Sequence, residues 1–81
     1  MPYIQQGFRK DLSPHSEFVA ENAGELNFQI STLLSRYLGE HYTYEDLNEA
    51  IGVLECAKLE LYRRIAAPYE DKKMAANGDV Y

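Results

Sequence analysis

The sequence predicts an all-α fold: a short N-terminal helix and two longer antiparallel helices, in an oligomeric helical assembly. Three observations lead to it. Apolar residues recur with the helical period at Leu26, Ile30, Leu33, Leu34, Tyr37 and Leu38, and again at Leu47, Ala50, Ile51, Leu54, Ala57, Leu61 and Ile65. Glycine, proline and hydroxyl residues stand where such helices would start and stop. Finally, 81 residues bring a chain near the lower limit for a self-sufficient core, and small domains add disulfides, a metal or subunit association. Cys56 is the only cysteine, and His15 and His41 lie in no zinc-like spacing, which leaves association.

Taken in order, residues 1–12 contain Pro2 and Gly7, show no sustained period and read as an extended arm of a single domain spanning 1–81. Ser13-Pro14 is a helix-start signal, since the hydroxyl caps free amides and proline lacks an amide that would be unbonded anyway. The short helix it opens runs from about Pro14 to Asn22, burying Phe18 and Val19, and Gly24 breaks it. The second helix, Glu25–Leu38, closes at Gly39. Thr43-Tyr44-Glu45-Asp46 then caps a third helix, with acid in the first turn where the helix dipole favours it. The brief Gly39–Thr43 connection makes the two long helices neighbours. Pro68 ends the third helix near Ala66, because its ring disfavours helical geometry at Ala67. Residues 68–81 form a tail or a final short helix that stops at Asn77-Gly78, and Asp79–Tyr81 is a candidate strand partner for Tyr3-Ile4.

Charge is unevenly spread. Net charge is −5, yet residues 1–57 carry three basic and nine acidic side chains while 58–81 carry five and four. The overall sign opposes binding to long nucleic acid, and any anion meets the C-terminal third. There KLELYRRIAAPYEDKK sets Lys58, Arg63, Arg64, Lys72 and Lys73 beside Tyr62 and Tyr69. The arm adds Tyr3, Phe8, Arg9 and Lys10. Aromatic faces beside cations are what a nucleotide requires, with stacking for the base and charge for the phosphate. The competing reading is rings over a thin core and solvated pairs: Glu60 with Arg64, and Lys58 with its stem packed and its ammonium turned outward or toward Glu25. Opposite the main stripe of the third helix, Gly52, Cys56 and Leu59 offer a small face for close helix approach, a candidate subunit interface with Arg63 at its edge.

No catalytic grouping, Gly-rich phosphate loop or metal motif stands out, so the expectation is a non-enzyme without cofactors. No stretch approaches the ~20 apolar residues of a membrane span, and the N-terminus lacks a signal-peptide core, which predicts a soluble cytosolic protein.

Through GELN at Gly24–Asn27 and GVLECAKLELYRRIAAPYEDKKMAANGDVY at Gly52–Tyr81, the sequence resembles a family of small proteins of tailed phages and prophages. The likeness covers most of the chain and is most specific in its C-terminal third. It implies a viral origin and the cytoplasm of a bacterial host, and it fixes no activity. Small phage proteins of this kind include immune-evasion sponges, oligomers that sequester cyclic oligonucleotide signals without cleaving them. They also include adaptors and inhibitors that bind a host or phage protein through a helical surface. The aromatic and cationic stretch places the sponge first and the adaptor second.

Overall fold

A computed structural model describes residues 2–7 and 19–81. Its elements are α1 (Ala23–Leu38), α2 (Tyr44–Leu61), a π-helical segment (Tyr62–Ala66) and α3 (Ala67–Asn77). The fold is all-α, with no strand among the described residues, so neither Tyr3-Ile4 nor Asp79–Tyr81 is in a strand. The helix expected from Pro14 lies largely outside the described residues, as does Phe18. Its described end, 19–22, is not helical, and Val19 is 82% exposed rather than buried. In the arm, Ile4 N–H bonds the Pro2 carbonyl at 3.0 Å, and Gln6 and Gly7 are helical rather than extended.

Gly24, expected to separate two helices, lies instead in the first turn of α1, because Asn22 starts that helix. With its own backbone extended, Asn22 accepts the Glu25 N–H on Oδ1 at 2.9 Å. The Glu25 carboxylate reaches back to the Glu21 N–H at 3.2 Å and to Asn22 Nδ2 at 3.1 Å. This reciprocal cap stabilises the first turn by about as much as one helical glycine costs, roughly 1 kcal/mol. Replacing Asn22 with Ala removes it, and thermal unfolding should report a loss of about 1 kcal/mol.

Gly39 ends α1 as expected, at φ 66° and ψ −160°, with its N–H on the Ser35 carbonyl at 3.0 Å. Thr43 and Asp46 form the expected cap of α2. The Asp46 N–H donates to Thr43 Oγ1 at 3.2 Å, and the Thr43 N–H donates to Asp46 Oδ2 at 2.9 Å. At Pro68, where the sequence predicts a helix end, the helical path continues to Asn77. The reason is the π segment: the Ala67 N–H bonds the Tyr62 carbonyl, five residues back. The wider turn relieves the crowding a proline ring imposes on the turn before it, and Ala67 keeps helical angles, φ −62° and ψ −47°. Pro68 then lies at the start of α3, directly after the wider turn that accommodates it. Gly78 stops α3 at φ 92°, its N–H on the Met74 carbonyl at 2.9 Å.

The chain divides into two units, residues 2–50 and 51–81. In the first, the Tyr37 hydroxyl donates to Glu49 Oε2 at 3.3 Å and ties α1 to the start of α2. The second is one helical path followed by 78–81. Among the described residues only Ala50 is buried, at 6% exposure. Leu34, Leu38 and Leu47 are half-buried, while most other large apolar side chains face solvent.

Candidate functional site

The basic stretch lies along one helical path, from the end of α2 through the π segment into α3. Local carboxylates engage much of it. Lys58 Nζ lies 3.1 Å from Glu55 Oε1, so its partner is the residue one turn back rather than Glu25. Glu60 Oε2 takes Arg63 Nη2 at 2.9 Å, in place of the expected pairing with Arg64. Three residues of separation suffice for Arg63, whose side chain lies over the preceding turn. The Tyr62 phenol is held above the ordinary tyrosine range, first by a hydrogen bond to the Glu70 carboxylate and then by its charge. Lys73 Nζ sits 5.5 Å from the centre of the Tyr69 ring, within cation–π range. Arg64 and Lys72 are exposed and enter no ion pair among the described residues.

Near these groups lies an open hollow of about 320 Å³ between α3 and the tail, lined by Glu70, Lys73, Met74, Asn77, Asp79 and Tyr81 among others. Of the residues read as anion-binding, only Lys73 lines it, together with the carboxylates of Glu70 and Asp79. Tyr3 is 44% exposed in the other unit, and Phe8, Arg9 and Lys10 lie outside the described residues. On the small face of α2, a side chain added at Gly52 would meet nothing within 4 Å, Cys56 is exposed and Leu59 is 56% exposed. No cluster of three or more metal-ligating side chains occurs among the described residues, and none of their helices is long and apolar enough to cross a membrane.

A second surface takes in part of the expected α1 stripe, Leu26, Ile30 and Leu33, and extends beyond it to Phe28. On α1, Leu26, Phe28, Gln29, Ile30, Thr32, Leu33 and Arg36 line an open apolar hollow of about 330 Å³. Phe28 is 72% exposed, more than any residue of the expected α1 stripe. It falls off the stripe drawn through Leu26, Ile30, Leu34 and Leu38, and an aromatic off the apolar face is the one signal that points to it.

Compared with known proteins, the chain matches over residues 1–80 a family described as a domain of unknown function, DUF6899. The chain belongs to this family. No curated protein and no solved structure matches it. Membership in DUF6899 brings no assigned chemistry with it, so the surfaces above carry the functional argument.

Proposed function

We propose that the chain is a helical docking module, a phage-encoded adaptor or inhibitor of the bacterial cytoplasm that binds a protein partner and performs no catalysis. The observation that carries this reading is the exposed apolar hollow on α1, where Leu33 of the stripe and Phe28 beyond it stand 63% and 72% exposed and Arg36 shares the lining. Apolar residues rimmed by a cation fit an amphipathic helix or peptide that brings its own apolar anchors and a carboxylate. In this reading α1 and α2 run antiparallel as neighbours, supported by the Tyr37–Glu49 bond and the brief connection at Gly39.

A second reading, sequestration of a cyclic oligonucleotide by a homo-oligomer, draws support from Arg64, Lys72 and the Lys73–Tyr69 pair. Against it stand the carboxylates that hold Tyr62 and Arg63, and the acidic lining of the neighbouring hollow. One experiment separates the two. Immobilised wild-type protein should retain a defined protein from bacterial lysate that Phe28→Asp does not, and purified protein should give no heat with cyclic di- and trinucleotides. Nucleotide binding that Tyr69→Ala and Lys72→Ala abolish, with no partner lost in Phe28→Asp, overturns docking in favour of sequestration.

A further inference from the structure

Among the described residues, the unit formed by 51–81 has one helical path and no second element of its own to cover it. Along α2, Ile51, Leu54 and Leu61 are 65%, 39% and 60% exposed. With Lys58 they fall at spacings of three, four and three residues, the repeat by which two helices pack along a seam. We propose that this seam packs against the same seam of a second copy, antiparallel about a two-fold axis, in place of the Gly52 face expected from the sequence.

Charge selects both the occupant and the direction. Lys58 lies in the seam and Glu55 at its edge, 3.1 Å apart, so every copy presents both signs at one level. A parallel pair sets Lys58 against its own copy. An antiparallel pair centred near Cys56 sets Ile51 against Leu61 and Leu54 against Lys58, and brings the ammonium of each copy to the Glu55 carboxylate of the other. Such a surface is complementary to itself, as a two-fold contact requires. Area is also sufficient. The three apolar side chains, the Lys58 stem and the flanking Tyr62 ring, 54% exposed, together offer on the order of 1,000 Å² over two copies, the lower bound for a specific interface.

Sedimentation equilibrium of the full chain tests the proposal. Wild type should dimerise at micromolar concentration, Leu54→Lys should raise the dissociation constant at least tenfold, and Phe28→Asp on α1 should leave it unchanged. Lys58→Leu, which removes the one charge from the seam, should tighten association. That variant decides the matter even if circular dichroism finds Leu54→Lys unfolded. A wild-type protein monomeric at high micromolar concentration overturns the proposal. So does a dimer indifferent to Lys58→Leu, or one that dissociates with Gly52→Leu while Leu54→Lys has no effect. Loss of association in Leu54→Lys with partner capture intact leaves the α1 docking reading standing, and loss of capture in Phe28→Asp with dimerisation intact leaves the seam standing.

Discussion

Gly39→Val should destabilise the protein by about 2–3 kcal/mol, the largest loss expected from a single change in the first unit. At φ 66° and ψ −160°, Gly39 sits in a region that essentially only glycine occupies, and no side chain removes that strain even though nothing lies within 4 Å. The turn would shift to relieve it. The Gly39–Ser35 bond would then be lost, and Glu49 would move away from Tyr37. The charge of Glu49, with burial and the hydrogen bond, holds the Tyr37 phenol above its ordinary value. Two readouts follow: a lower unfolding temperature, and a Tyr37 titration that moves down toward the ordinary range. Gly52→Ala is the contrast. Gly52 is helical with open space around it, so alanine should stabilise by about 0.5–1 kcal/mol. Loss of stability or association in Gly52→Ala would instead point to a close helix contact on that face.

The contrast between the two glycines explains what the sequence makes legible. Gly39 and the Thr43–Asp46 cap act within one turn, so residue type and spacing suffice to read them. Asn22 and Gly24 also act locally, yet Gly24 lies inside α1 rather than before it. Asn-Ala-Gly-Glu is a capping box in which glycine occupies the first turn, and glycine reads as a breaker only when the asparagine before it is ignored. The apolar periods locate α1 and α2 within two residues at each start, yet a period says only which face is apolar. It does not say what covers that face, and here Ile51, Leu54 and Leu61 remain exposed. The ion pairs depart from expectation for a different reason. Glu60 has Arg63 and Arg64 at three and four residues, both reachable, and side-chain direction rather than spacing selects Arg63.

Pro68→Ala should convert the π segment to regular α-helix, raise stability by about 1–2 kcal/mol and lower the pKa of Tyr62 without altering any group that touches it. Proline lacks the amide that a regular helix needs at this position, and alanine supplies it. Part of the gain is lost because alanine frees the unfolded chain. The register then changes. Eight residues along a regular α-helix lie about 80° apart around its axis, which would carry Glu70 away from Tyr62. The wider π turn removes most of that offset, which leaves the Glu70 carboxylate on the side of the phenol whose pKa it raises. Straightening the path therefore weakens the hold of Glu70 on the phenol, and an ultraviolet titration should show Tyr62 ionising earlier, as it should in Glu70→Gln, which keeps the π segment. The sign for stability follows from the raised value. The Tyr62–Glu70 contribution is complete below the ordinary tyrosine pKa, near pH 10, and is lost as pH rises through the folded value. Wild type should thus lose stability relative to Pro68→Ala above about pH 10. An unchanged Tyr62 titration in Pro68→Ala would mean that the π segment is set by Tyr62 and Glu70 holding each other rather than by the proline. In that case Glu70→Gln, not Pro68→Ala, would be the change that restores a regular helix.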